Sequence, residues 1–216
     1  MAVELWLVRH GQAAFASDDY DRLTDLGWQQ ARWLGEHLAA MEVGFDRVAS
    51  GTLRRQRETA EAVAGELGHT PEVVPGLEEY SAHTLLQKAG YTDRDPAVSR
   101  REHFQRLRAV LLDWSEGRAG SNETWDDFRE RVMGAVGRLT EVGEGRVLAA
   151  ASGGSIAMAL TTILKLPADQ MIEFNLQIRN TGISRLVFTG RRTYFNMFNA
   201  IPHIERPDRR HAETYT

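Results

Sequence analysis

Short apolar runs alternate with helical periods along most of this 216-residue chain, and that alternation restricts it to few architectures. Strand-like runs occur at 5–8, 45–49, 72–74 and 147–151. Two more, at 183–188 and 194–198, flank the turn "TGRR" and read as a hairpin. Between the runs, Ala31, Leu34, Leu38 and Met41 recur at helical spacing, with Thr24 as N-cap. Ala60, Val63, Ala64 and Leu67 form a second stripe. Thr124 opens the capping-box pattern "TWDD", which Phe128, Val132, Ala135 and Leu139 continue. Strands separated by helices imply a largely parallel sheet covered on both faces. The segment at about 80–120 carries a helix with Phe104, Leu107, Leu111 and Trp114 on one side, but no convincing strand. It reads as a helical insertion over a sheet edge within a single domain spanning 1–204, with a frayed polar tail at 205–216.

In open parallel sheets, ligands bind beyond the carboxyl ends of the strands, so the residues ending each run matter most. The first run ends on Arg9, His10 and Gly11. Arg9 offers a permanently charged fork for phosphate or carboxylate, and a neutral His10 imidazole can attack phosphorus. Gly11 would let the backbone approach a ligand closely. The fourth run ends on "SGGS", where Ser152 and Gly153 open a helix whose N–H groups favour an anion. After the second run comes "SGTLRRQRETAEAV" with Arg54 and Arg55, and after the third "PGLEEYSAH" with Glu78 and Glu79. Cations, a histidine and a carboxylic acid at successive strand ends suit phosphoryl transfer.

These segments together resemble the histidine phosphatase superfamily, also called the phosphoglycerate-mutase-like family. "LVRHGQA" is similar to its signature, and "YDRLTDLGWQQARWLG", "ETWDDFRERV", "RNTGISRLVF" and "FNAIPHI" to other family segments. The resemblance implies an α/β fold, a three-layer α/β/α sandwich with a mostly parallel six-stranded sheet. It implies His10 as the nucleophile that becomes phosphohistidine, with Arg9 and Arg55 clamping the phosphoryl oxygens. Arg55 is preferred over Arg54 because the family's arginine stands four residues before a Thr-Ala pair. Glu79, two residues after Leu77, would be the acid, with Glu78 as the alternative. Gln12 could reach the phosphate or serve the loop. No metal or cofactor is implied, and the partner is a small phosphorylated substrate or inorganic phosphate; a homodimer fits the family's habit of pairing.

The departure is at position 152. The family has "VSHGG" there, and its second histidine helps bind the phosphoryl group; this chain reads "AASGGS". Ser152 donates one hydrogen bond and carries no positive charge. Losing one donor to a developing oxyanion costs ~10²–10³ in rate, so restoring histidine at 152 is expected to raise turnover about tenfold or more. The expected function is a phosphomonoester hydrolase of reduced activity. The alternative is a phosphoanion-binding protein without turnover, and a phosphoglycerate mutase ranks below both.

A serine hydrolase is a further reading, because "GGSIA" is one residue from the G-x-S-x-G elbow. Ser155 would then pair with His203 and with Asp169 or Glu173, but Ala157 replaces the last glycine. His83 follows the acid segment and could touch substrate, and His203 is expected to make a structural hydrogen bond. Phe15, Tyr80 and Tyr91 could wall the substrate pocket. Composition narrows the rest. The chain has no cysteine, which excludes disulfides, thiolate metal ligands and cysteine nucleophiles. A net charge of −4 with dispersed arginines speaks against nucleic acid. No run approaches the ~20 apolar residues of a membrane span, and the run at 3–8 is too short for a signal peptide. A cytoplasmic protein is the expectation.

Overall fold

The computed structural model describes residues 2–14, 21–92, 98–141 and 143–215. Six strands form one sheet: β1 (Ala2–Arg9), β2 (Arg47–Ser50), β3 (Glu72–Val73), β4 (Gly145–Ala151), β5 (Ile183–Thr189) and β6 (Thr193–Ala200). Their order is β3-β2-β4-β1-β5-β6. The pairs β2–β3, β2–β4 and β1–β4 are parallel, while β5 runs antiparallel to both β1 and β6. The sheet is therefore mostly parallel, with β1 and β4 side by side at its centre. Leu5 is in register with Val147 on one side and Leu186 on the other.

Alternation along the central strands distributes side chains to two cores. On one face, Trp6, Val8, Leu148 and Ala150 meet Ala31, Leu34 and Leu38 of α1 (Asp25–Ala40) and Ala60 and Val63 of α2 (Arg54–Leu67). On the other, Leu5, Leu7, Val147 and Ala149 meet Phe128 and Val132 of α5 (Trp125–Thr140), Ile156 of α6 (Gly153–Leu164) and Met171 of α7 (Ala168–Gln177). Both predicted N-caps form: Thr24 Oγ1 accepts from Gly27 N at 3.0 Å, and Thr124 Oγ1 from Asp127 N at 3.1 Å. Asp127 answers by accepting from Thr124 N at 3.2 Å, completing the capping box. Met41 does not extend the α1 stripe; it is the C-cap and is exposed.

The segment at about 80–120 contributes two helices, α3 (Ala82–Lys88) and α4 (Arg100–Ser115). Leu107, Val110, Leu111 and Trp114 of α4 bury into the cluster that covers the sheet, and Phe104 lies at its margin. The expected fraying of the tail does not hold for residues 210–215. Ala212 is fully buried, and Gln30 Nε2 donates to Ala212 O at 2.7 Å and Thr214 Oγ1 at 2.9 Å. Asn180 N donates to Thr214 O at 2.9 Å. Gln30 and Asn180 are buried polar groups, and the tail supplies the partners they need. Among the described residues, no helix is long and apolar enough to cross a membrane.

Candidate active site

The carboxyl ends of β1, β2 and β4 and the loop after β3 converge at one edge of the sheet. His10 follows β1 and is 2 % exposed. Its Nδ1 lies 2.8 Å from Gly11 O. A carbonyl only accepts, so Nδ1 carries the hydrogen and Nε2 of the neutral ring carries the lone pair. Arg55 Nε donates to that lone pair at 3.1 Å. Burial, then the charges of Arg55 and Arg9, hold the His10 pKa well below its ordinary 6.5. His10 is thus neutral at ordinary pH, with one defined tautomer and its lone pair turned toward a cation.

The two candidate arginines of α2 face different ways. Arg55 is buried against His10 and is clamped from behind by Asp21, with Nη1 to Oδ1 at 2.8 Å. Arg54 Nε instead pairs with Glu58 at 2.7 Å on the helix surface. Arg9 is held from the other side, where Nη1 donates to Ile178 O and, at 3.1 Å, to Tyr215 O of the tail. Its Nε lies 3.6 Å from where a Cβ on Gly153 would stand, so the guanidinium borders the start of α6.

The two glutamates are also separated by environment. Glu79 Oε2 accepts from Gly154 N at 2.9 Å, at the N-terminus of α6, and Oε1 from Tyr80 N at 3.2 Å. Desolvation raises its pKa above 4.5, overcoming the opposing pull of the Gly154 N–H, Arg55 and Arg9. Gly154 is required here, since a Cβ would stand 2.0 Å from Glu79 Oε1. Glu78 points away and ties loops together. It accepts from Thr52 Oγ1 at 2.6 Å and Gly76 N at 2.8 Å, and pairs with Arg131 at 3.2 Å. Desolvation acts on Glu78 too, but its hydrogen bonds, led by Thr52, win and lower its pKa.

Ser152 is fully buried at the N-cap of α6. Its Oγ accepts from Gln56 Nε2 at 2.9 Å. That contact reverses the expectation for histidine at 152. An imidazole there would meet the Gln56 amide in a buried site, and overpacking of this kind costs ~1–3 kcal/mol. Ser152→His is therefore expected to lower the denaturation midpoint without raising turnover, and Ser152→His with Gln56→Ala to recover the midpoint.

Other residues singled out by sequence have structural partners. Gly11 is needed by α1, since its Cβ would stand 2.4 Å from Gly27 O. Gln12 Oε1 accepts from Thr24 Oγ1 at 2.8 Å and its N–H donates to Gln30 at 2.8 Å, contacts that anchor the start of α1. Ser155 donates to Leu77 O at 2.8 Å, whereas His203 Nε2 is 2.8 Å from Thr181 Oγ1 and Glu173 pairs with Arg108. No Ser-His-acid triad exists there. His203 is buried, and desolvation, then His37 and Arg209, lower its pKa to about 3. Tyr80 packs edge-on against Phe128 and its hydroxyl accepts from Asn175, so its ring belongs to the core. Tyr91 lies under Arg106 on the insertion, His83 is exposed on α3, and Phe15 lies outside the described residues. Sequence reading missed Asp21 behind Arg55, Gln56 beside Ser152, and Asn180, whose Nδ2 donates to His10 O at 3.0 Å. Among the described residues, no three His, Asp or Glu side chains converge as a metal site.

The chain is similar to known proteins over most of its length. A protein named "Probable phosphoglycerate mutase GpmB" from Erwinia tasmaniensis is 29% identical over 192 residues, covering 85% of this chain and 84% of that one. A variant of the phosphoserine phosphatase of Entamoeba histolytica, solved with phosphoserine, superposes with a TM-score of 0.69 at 20% identity, over 94% of this chain and 99% of that one. The α-ribazole phosphatase of Shigella flexneri gives a TM-score of 0.67 at 22% identity, over 91% and 96%. The profile of the histidine phosphatase superfamily (branch 1) matches residues 5–201, and the chain belongs to that superfamily.

Proposed function

We propose that this protein is a phosphomonoester hydrolase that works through a phosphohistidine on His10. The observation that carries the reading is the state of that ring: neutral, Nδ1–H fixed on Gly11 O, and the Nε2 lone pair beside Arg55. A phosphoryl group entering between Arg9 and Arg55 takes over the Arg55 Nε–H and frees Nε2 to attack. The P–N bond forms as the P–O bond to the leaving alkoxide breaks, and protonated Glu79 gives that oxygen its proton. Glu79, now a carboxylate, takes a proton from water as the water attacks phosphorus and the P–N bond breaks, its electron pair returning to Nε2. Phosphate leaves and neutral His10 returns. The two arginines and the α6 N–H groups supply the charge stabilisation, so no metal or cofactor enters the steps.

The curated relative named for a mutase favours a second reading, transfer of the phosphoryl group back to a bound phosphoglycerate. Both readings share phosphorylation of His10 and differ in the acceptor. The test is phosphate release from p-nitrophenyl phosphate and from 3-phosphoglycerate in EDTA, with His10→Ala as control. Release dependent on His10 supports the hydrolase. Isomerised phosphoglycerate without release supports the mutase. No reaction above the control leaves the phosphoanion-binding reading.

A further inference from the structure

Gln56 is fully buried in the first turn of α2, next to Arg55. Its amide orientation is fixed by its partners. Oε1 accepts from Leu53 N at 3.2 Å, a group that only donates, and Nε2 donates to Leu77 O at 2.7 Å, a group that only accepts. The second N–H of the same nitrogen therefore points at Ser152 Oγ, 2.9 Å away. Ser152 is the acceptor in that bond, so its own hydroxyl hydrogen must go elsewhere. Among the described residues, no acceptor takes it.

The pair also sits between the two walls of the site. Gln56 adjoins Arg55, which holds His10 Nε2, and Leu77, which Gln56 also holds, is two residues before Glu79. Ala151 O, one residue before Ser152, accepts from His10 N at 2.9 Å. Gly154, two residues after Ser152, holds Glu79. With a lone pair engaged from the α2 side, the Ser152 hydroxyl turns its hydrogen away from Gln56.

We propose that Gln56 is a positioning residue that turns the Ser152 hydroxyl so that its hydrogen is donated to the bound phosphoryl group. The inference rests on the phosphoryl pocket proposed above, but not on turnover. An uncharged donor of enforced direction thereby stands at the N-cap of α6. Gln56 itself has no N–H left for the ligand, so it acts only through Ser152.

The test is a double-mutant cycle on the full chain with Ser152→Ala, Gln56→Met and the pair, reading the Kd for inorganic phosphate and for orthovanadate beside kcat. Each single variant is expected to weaken orthovanadate binding about tenfold or more, within the range for one oxyanion donor. The pair is expected to be no weaker than the worse single variant within about twofold, because both changes disable one bond. A merely structural role for Gln56 gives multiplicative losses instead, and overturns the proposal. Ser152→Ala removes a single oxygen, so wild-type binding by that variant overturns it even if Gln56→Met fails to fold. Failure of the unaltered protein to bind either anion also overturns it. Anion binding that follows the cycle in a protein releasing no phosphate keeps this inference and removes the hydrolase.

Discussion

Replacing His10 with alanine is expected to reduce turnover by ~10⁴-fold or more, the scale on which loss of a covalent nucleophile acts in other hydrolases. The expectation follows from how completely the ring is prepared. Its Nδ1–H is anchored on Gly11 O, its backbone N–H and C=O are held by Ala151 and Asn180, and its lone pair faces Arg55. Alanine removes the attacking atom and leaves Arg9, Arg55 and the start of α6 in place. Inorganic phosphate is therefore expected to bind the variant within about tenfold of the original, since each remaining charged bond contributes most of its strength. Two measurements check this: steady-state release from p-nitrophenyl phosphate, and trapping of the phosphoenzyme by acid and alkali. A P–N linkage is lost in acid and survives alkali, and alanine should abolish it. Turnover within tenfold of the original protein, or an acid-stable phosphoenzyme that persists in the variant, would remove His10 as nucleophile.

The strand ends were legible because their signals are local. The runs closing on Arg9 and Ser152 are continuously apolar, as strands buried on both faces of a sheet are, and β1 and β4 are buried along most of their length. The capping patterns at Thr24 and Thr124 form where expected. What sequence could not give is pairing at a distance. Gln56 and Ser152 are 96 residues apart, and Asp21 and Arg55 34, so no spacing rule brings either pair together. Structural contacts close to a site are hidden in the same way: Gly11 and Gln12 adjoin a histidine and invite a ligand role, and each also has a structural one, against the backbone of Gly27 and at the cap of α1. Helix α7 escaped notice because its buried apolar residues, Met171 and Ile172, are adjacent rather than spaced three or four apart. The polar tail looked frayed because its partners, Gln30 and Asn180, are buried polar groups that composition cannot locate.

Glu79→Gln carries the second large effect, and it should depend on the leaving group. The amide keeps the shape and can still accept from Gly154 N–H, but it has no acidic proton to give. For an alkyl phosphate, whose alkoxide leaves poorly, phosphorylation of His10 is expected to slow by ~10²–10⁴, the range for one positioned acid. p-Nitrophenolate leaves without a proton, so its first turnover should persist as a burst equal to the enzyme, followed by slow release because water has lost its base. The pH dependence has a definite sign. Desolvation raises the Glu79 pKa above 4.5, so the acid form survives to higher pH and alkyl phosphate turnover falls as pH rises through that raised value. Glutamine should abolish this fall. His10 adds no loss near pH 6.5 on the acid side, since it protonates only well below that value. The same leaving-group dependence in Glu78→Gln, with Glu79→Gln unaffected, would transfer the role to Glu78. Its ties to Thr52, Gly76 and Arg131 argue against that, because they favour the ionised form and leave it no proton to give.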